Sequence, residues 1–332
     1  MRLLLFFKYQ LGLGVGSAFL WLIIASSASA SALEGKLLQD LSTAEMLVVK
    51  NDLALARRYL HPGIYSPHIS SQLRSRFYYV KGYTFMKESL HVSAGKEFYR
   101  ALEFDQSNAE ALYCLGQLYY HGRGYEEDAQ MGLSFFREAA DFSHQDSQFY
   151  LAYALLIGKG TEQNEEQGRS ALSVLAADGH VEAMMHLADH YRRMGYDQRW
   201  KIFDRIKDLY ERALKAGSAE AALSLGVVYK EGKLVARDPR LAFQYFTVAS
   251  EMGNLQADVH IAHSLAAGLG IERDYVAARR HYLEAADNDL VGGFTGLGYL
   301  YEFGLGVPID LAKARVFYDL GRGPSTSVRN EN

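Results

Sequence analysis

One pattern recurs through most of this chain: an apolar residue followed at once by glycine or alanine, six times at a nearly constant spacing. The six pairs are Leu115-Gly116, Leu151-Ala152, Leu187-Ala188, Leu225-Gly226, Ile261-Ala262 and Leu297-Gly298. The steps between successive pairs are 36, 36, 38, 36 and 36 residues. A fixed period of this length predicts a stack of similar repeats, each of which buries its apolar face against its neighbours.

Each repeat is predicted to form two helices joined by a glycine turn. Four repeats carry a glycine pair shortly after the leading apolar residue: Gly122 and Gly124, Gly158 and Gly160, Gly268 and Gly270, Gly304 and Gly306. Glycine adopts positive φ easily, so these residues can end the first helix of a repeat. Only five prolines are present and hydrophobic residues make up 49% of the chain, which favours a folded, all-α protein.

Three further features recur in register with the leading residue. An aromatic residue usually follows it by four positions, the glycine turn comes next, and a small-residue pair lies late in the second helix, as at Ala139-Ala140, Ala176-Ala177 and Ala285-Ala286. Over residues 109–321 the combination resembles the Sel1-like repeat family, which is related to the tetratricopeptide repeats. The resemblance implies a right-handed α-solenoid of antiparallel helix pairs that acts as a non-enzymatic adaptor or scaffold.

The chain is predicted to have four segments. Residues 1–30 form a signal peptide, residues 31–105 a tetratricopeptide-like helical cap, residues 106–322 six repeats, and residues 323–332 a disordered tail. Within the cap, His61-Pro62-Gly63 is expected to end the second helix, which starts at Leu53. In the third repeat, residues 194–200 replace the glycine turn, and we interpret them as a change in stacking angle or as a binding loop.

The amino terminus has the composition of an export signal. Arg2 and Lys8 precede an uncharged apolar run, and Ala28-Ser29-Ala30 offers small residues at the cleavage spacing. This predicts a periplasmic or secreted protein, and the alternative is an inner-membrane anchor through residues 9–33. The net charge is −4 and no basic block is present, so nucleic acid is not expected as a partner.

Several residues are of a type that could bind a metal or take part in catalysis. His186 with His190, and His260 with His263, have helical spacing that could share a metal, but packing or surface roles are favoured. Cys114 is the only cysteine and is expected to be a buried thiol. The acidic residues Glu110, Asp146, Glu182 and Glu220 are expected in the first turns of helices, where the helix dipole stabilises them. The sequence therefore predicts no catalytic residue, no metal and no cofactor.

The concave surface of such a solenoid is lined by the first helix of each repeat, so we expect a partner to bind there. The resemblance implies that this surface carries an aromatic region followed by a charged one, with some rings instead closing the core between repeats. The predicted partner-binding residues are Tyr113, Gln117, Tyr120, Phe149, Tyr153, Asp189, Arg192, Arg193, Lys230, His263, Tyr299 and Glu302.

Two function classes stay open from the sequence. The first is an exported scaffold that binds a protein or peptide segment, as part of a cell-envelope complex. The second is an envelope hydrolase or small-ligand-binding protein similar to the cysteine-rich Sel1-like proteins. Those relatives carry a cysteine pair in each repeat, and the single Cys114 disfavours the second class.

Overall fold

The structure is a computed structural model that describes residues 16–67, 69–194 and 199–322, with side chains described from residue 32 and, after the second gap, from residue 202. These residues form sixteen α-helices and no strand. The chain divides into two compact bodies, an amino-terminal body of residues 1–165 and a carboxy-terminal body of residues 166–332. The predicted all-α fold is confirmed.

The amino-terminal body is built from seven helices. They are α1 (Gly16–Val49), α2 (Leu53–Tyr65), α3 (Ser71–Lys87), α4 (His91–Phe104), α5 (Ala109–Tyr120), α6 (Ala129–Asp141) and α7 (Gln145–Ile157). Each of these helices packs against the next one in the chain. Among the described residues, no helix has the length and apolar character needed to span a membrane.

The carboxy-terminal body contains the other nine helices. They are α8 (Glu165–Ala177), α9 (Val181–Met194), α10 (Arg199–Lys215), α11 (Ala219–Glu231), α12 (Pro239–Glu251), α13 (Leu255–Ala267), α14 (Tyr275–Asp287), α15 (Val291–Phe303) and α16 (Leu311–Arg322). From α9 to α16 each helix again packs on the next, so antiparallel pairs follow one another along the chain.

The second helix of the cap departs from the sequence prediction. Asp52 caps its start as expected, accepting a hydrogen bond from the Leu55 backbone, but the helix does not end at Pro62 and continues to Tyr65. Proline removes one hydrogen bond from a helix interior. The last turn survives because it is packed: a Cβ atom on Gly63 would lie 2.2 Å from the Phe77 ring, so only glycine lets α3 approach this closely.

The cap is joined to the first repeat by a shared core and a buried polar network. Ala94, Phe98 and Ala101 of α4 cluster with Leu115 and Leu118 of α5. At the start of α5, the Asn108 side chain accepts from the Ala111 backbone (3.0 Å) and donates to the Ser75 hydroxyl (2.8 Å), which donates to the Ala101 carbonyl (2.8 Å). One amide therefore links α3, α4 and α5.

In three repeats the glycine after the leading apolar residue makes room for the second helix of its own repeat. A Cβ atom on Gly116 or Gly226 would lie 2.5 Å from the ring of Phe136 or Phe246, and one on Gly298 would lie 2.6 Å from the Tyr318 ring. In these three repeats the two helices thus meet at a glycine facing an aromatic ring.

Four glycine turns end first helices in the predicted way, whereas the cap of α5 is His121 and Gly122 follows it. Gly158, Gly232, Gly268 and Gly304 are the left-handed carboxy-terminal caps of α7, α11, α13 and α15. An aspartate then caps the second helix in several repeats, as Asp128 does for α6 and Asp238 for α12. Helix, glycine turn and aspartate cap form one local unit that the chain reuses.

Candidate functional site

A single packing position recurs on the first helices, immediately before the leading apolar residue. In the second repeat, within the amino-terminal body, it holds Tyr150, whose ring stacks on Phe136 at 4.6 Å and 17°. In the carboxy-terminal body it holds His260, which stacks on Phe246 at the same distance and angle. We call this the stacking position. The helix pair sets its geometry, while the residue that occupies it sets its chemistry.

Polar side chains surround the stacking position that Tyr150 occupies. Gln117 lies between two tyrosines: its amide donates to the Tyr113 hydroxyl (2.5 Å) and reaches the Tyr150 hydroxyl (3.4 Å). His121 Nε2 lies 3.4 Å from the same Tyr150 hydroxyl. We call Tyr113, Gln117, His121 and Tyr150 the tyrosine cluster. It is contributed by α5, with its carboxy-terminal cap residue, and by α7, and its side chains are half-buried.

Two of the expected groove residues lie in the core instead. Tyr120 is 2% exposed and Phe149 is 5% exposed, so neither ring lies at the surface, where the sequence predicted a partner-binding role for both. Tyr120 packs against Phe136 with ring centroids 5.8 Å apart, and its ring is covered by Lys159 Nζ at 4.6 Å. Phe149 stacks beneath Tyr153 at 5.8 Å, which leaves Tyr153 as the half-buried member of that pair.

Lys159, which the sequence interpretation missed, connects the cluster to the neighbouring turn. Its ammonium lies on the Tyr120 ring and pairs with Glu127 at 2.9 Å. The hydrogen bond from Lys159 lowers the pKa of the Glu127 carboxyl. Burial raises the pKa of Tyr120 to about 12. Near neutral pH the Tyr120 hydroxyl is therefore protonated, and the Glu127 carboxylate is ionised and paired with Lys159.

The predicted charged residues of the carboxy-terminal body are partly engaged with one another. Asp189 accepts a 2.6 Å hydrogen bond from the Tyr210 hydroxyl and lies 3.4 Å from Arg192. Burial and the Asp189 charge raise the pKa of Tyr210. Arg193, the next residue, is exposed. Asp189 therefore holds α9 against α10, and Arg193 is the more accessible of the predicted charges.

A second group of charges surrounds the stacking position of the carboxy-terminal body. Lys230 Nζ lies 3.3 Å from His260 Nδ1, and His263 is exposed one turn further along α13. Burial, with Lys230 and His263 nearby, lowers the pKa of His260 to about 4. Burial also lowers the pKa of Lys230. His260 is therefore neutral near pH 7, with Nδ1 free to accept from the Lys230 ammonium.

The last two predicted residues, Tyr299 and Glu302, lie on α15 and differ in their contacts. Tyr299 is 49% exposed and contacts the equally exposed Phe303 at 4.8 Å, which gives a small aromatic surface. Glu302 instead accepts a 2.6 Å hydrogen bond from Tyr318 of α16. Tyr299 remains a candidate contact, whereas the Glu302 carboxylate is occupied in joining the final helix pair.

The remaining chemical candidates take structural positions. Cys114 is buried, and burial raises the pKa of its thiol to about 12, which confirms the buried-thiol prediction. His190 is buried, and burial lowers the pKa of the half-buried His186. The acidic residues of the first helices lie in first turns, as predicted: Glu110, Asp146, Glu182 and Glu220.

Three sequence predictions concern segments that the structure does not describe in full. The proposed loop of the third repeat includes residues 195–198, and the tail comprises residues 323–332, both outside the described residues. The proposed signal peptide falls on residues 1–15, also outside, and on a stretch of α1 without described side chains. These remain predictions.

Comparison with known proteins gives matches over the repeats. The Sel1 repeat model matches residues 109–141, 145–170, 219–254, 260–290 and 295–321. The third repeat, which lacks the glycine turn, is not among these ranges. A curated relative from Arabidopsis thaliana, ERAD-associated E3 ubiquitin-protein ligase component HRD3A, is 39% identical over 71 residues, which is 21% of this chain and 10% of the relative.

Two solved bacterial structures are similar to this fold. A Sel1 repeat protein from Oxalobacter formigenes is 24% identical with a TM-score of 0.58, over 72% of this chain and 97% of that one. The protective antigen c5321 of uropathogenic Escherichia coli is 22% identical with a TM-score of 0.58, over 75% of this chain and 53% of that one. With five repeats matched within residues 109–170 and 219–321, the chain belongs to the Sel1 repeat family.

Proposed function

We propose that the chain is a non-catalytic adaptor that binds a protein segment at the tyrosine cluster of its amino-terminal body. The observation that carries the proposal is the convergence of two half-buried tyrosine hydroxyls on Gln117 between α5 and α7. Rings of this kind supply apolar contact area, while their hydroxyls and the amide can hydrogen-bond a peptide backbone. Tyr153 extends the same surface along α7.

Membership of the Sel1 repeat family supports a role in assembling proteins. The Arabidopsis relative is named as a component of a ubiquitin ligase, which makes it part of a larger assembly. The match covers a small part of that relative, so its activity and partners are not transferred to this chain. The half-buried aromatic surface supports binding at this end of the repeats independently of that likeness.

The binding proposal can be tested by site-specific photocrosslinking in cells. A photoreactive phenylalanine at Tyr153 should crosslink to a discrete partner, and the same group at Arg137, an exposed residue of α6 outside the cluster, should not. Tyr113→Ala should then reduce partner recovery at least tenfold, since an aromatic anchor typically contributes about 2 kcal/mol. Equal crosslinking at both sites, or full recovery with Tyr113→Ala, would contradict the proposal.

We also propose that the chain is exported and that its partner belongs to a cell-envelope complex. The charged start, the apolar run and Ala28-Ser29-Ala30 support export. Sequencing of the protein purified from its source cells should give Ser31 or Leu33 as the first residue. An intact Met1 on a membrane-bound protein would favour the anchor through residues 9–33.

A further inference from the structure

The fifth repeat contains a buried acid at a position where the other repeats are mostly apolar. Asp258 of α13 is 3% exposed. The equivalent residues of the other repeats are Leu112, Gln148, Met184, Ala222 and Phe294. An isolated buried carboxylate lowers stability unless it is paired or binds a metal. A departure from the repeat pattern that carries such a cost points to a function.

The facing helix departs from the pattern at the matching place. His281 of α14 occupies a position held in the other repeats by Phe135, Ala171, Leu209, Tyr245 and Phe317. The His281 Nδ1 and Asp258 Oδ1 atoms are 2.9 Å apart. Two polar side chains have therefore replaced apolar ones on both sides of a single helix–helix contact.

A third metal-binding side chain completes the group. Glu284 lies one turn after His281 on α14, and one ligand atom from each of Asp258, His281 and Glu284 lies within 4.8 Å of the others. The spacing of three residues places His281 and Glu284 on the same side of the helix. Glu284 is exposed and also lines an open surface cleft, so a solvent molecule can reach the group.

The buried Asp258 carboxylate is also held in place by a hydrogen bond from a third helix. The Ser250 hydroxyl of α12 donates to Asp258 Oδ1 at 2.9 Å. Hydrogen bonds of this kind hold metal ligands in place and tune their affinity. Together, α12, α13 and α14 thus supply the three candidate ligands and a group that positions one of them.

We propose that Asp258, His281 and Glu284 form a binding site for a divalent transition metal, with Zn²⁺ the best match. One imidazole nitrogen and two carboxylate oxygens suit Zn²⁺, whereas Mg²⁺ and Ca²⁺ prefer oxygen ligands alone. The ion takes the place of the proton between His281 and Asp258, and these two ligand atoms separate to roughly 3.3 Å around a tetrahedral ion. Three protein ligands leave the fourth position to water.

Two arginines beside the site repel a cation and therefore limit the expected affinity for the metal ion. Arg279 and Arg280 line the cleft beside Glu284, together with the acids Asp274 and Asp287. The opposing charges nearly balance, so binding comes from the ligand set rather than from a negative surface. The site links α13 to α14, and a bound ion therefore stabilises the fifth repeat.

The test is isothermal titration calorimetry of the full-length chain, purified without a histidine tag, with ZnCl₂ and with MgCl₂. We expect one Zn²⁺ per chain and no heat from Mg²⁺. His281→Gln and Glu284→Gln should each weaken Zn²⁺ binding at least about tenfold, and Ser250→Ala about tenfold. The control His263→Gln removes an exposed histidine of the same body outside the group and should bind Zn²⁺ as the unmodified chain does.

Thermal unfolding followed by circular dichroism gives an independent readout. ZnCl₂ should raise the melting temperature of the unmodified chain and not that of Glu284→Gln, whose exposed side chain can change without loss of the metal-free fold. The absence of Zn²⁺ binding to the unmodified chain would overturn the proposal. Binding that is equally strong in His281→Gln and Glu284→Gln would overturn it as well, because it would place the ion elsewhere.

Discussion

The stacking positions of the two bodies share a geometry and differ in chemistry. Tyr150 and His260 lie on the phenylalanines of their neighbouring second helices at the same distance and angle. Around Tyr150 the neighbours are the neutral Gln117 and His121, whereas Lys230 lies beside His260. The two positions therefore share one ring-stacking geometry, while the side chains around them differ in charge.

The largest expected effect on stability comes from removing the phenylalanine ring on which Tyr150 or His260 stacks. Phe136→Ala and Phe246→Ala should each lower the free energy of unfolding by about 3–5 kcal/mol, since both side chains are fully buried. Similar losses would show that the two positions are energetically as well as geometrically equivalent. Denaturant titration measures this, and a loss below about 1 kcal/mol in either variant would break the equivalence.

A smaller effect is expected where the glycine faces the same ring. Gly226→Ala should lower stability by about 1–3 kcal/mol, because the added methyl group would lie 2.5 Å from Phe246 unless the helices move apart. The matched control is Ala262→Gly in the fifth repeat, which removes a methyl group at the equivalent position and should cost only about 1 kcal/mol. Equal costs in denaturant titrations would mean that the ring does not limit this contact.

The pH dependence of stability also distinguishes the two stacking positions, because a histidine titrates in the acidic range and a tyrosine does not. The His260 pKa falls from 6.5 to about 4 on folding, so the unfolded chain binds more protons between these values. Stability from His260 is therefore fully present above pH 6.5 and is lost as the pH falls toward 4. Because the ring is partly accessible to solvent, we expect a loss of about 1 kcal/mol.

The substitution His260→Tyr introduces the residue found at the other stacking position and should remove this part of the pH dependence. Comparing its thermal stability with that of the unmodified chain at pH 7 and pH 4.5 isolates the contribution, since other histidines titrate in both proteins. An unchanged difference between the two pH values would show that His260 does not titrate in this range.

The smallest expected effect concerns the buried Tyr120. Its hydroxyl finds no hydrogen-bond partner among the described residues. Tyr120→Phe removes that polar atom and should leave stability unchanged or raise it by up to about 1 kcal/mol. Tyr120→Ala, which removes the ring, should instead cost about 3 kcal/mol or more. A marked loss in Tyr120→Phe, measured by denaturant titration, would mean that the hydroxyl is satisfied in solution.

The periodic part of the fold was predictable, because it depends on residues that recur in register. The spacing of leading residues gave the helix pairs, and the glycines gave the ends of first helices. Pro62 was misread because its effect was outweighed by a contact with Phe77, which is distant in sequence. Local rules describe a helix end well only when no tertiary contact stabilises the next turn.

The exposure of the predicted partner-binding residues was predictable only at the centre of the inner helix face. The position two residues after the leading residue holds Gln117 and Tyr153, which are half-buried, and His263, which is exposed. Tyr120 and Phe149 lie about 60° and about 40° from that direction, on the same side of their helices, and both rings enter the core. Lys159, His281 and Asp258 were missed because only the packing of helices brings them to their partners.

The Asn108 network limits how freely the repeats can be rearranged. Repeats coupled only by apolar contact can be duplicated or exchanged during evolution, since any similar neighbour satisfies them. Asn108 instead needs the Ser75 hydroxyl, and Ser75 needs the Ala101 carbonyl, each on a different helix of the cap. A chain cut between residues 105 and 106 would leave the buried Asn108 amide without its Ser75 partner, so the first repeat is expected to lose stability when it is separated from the cap.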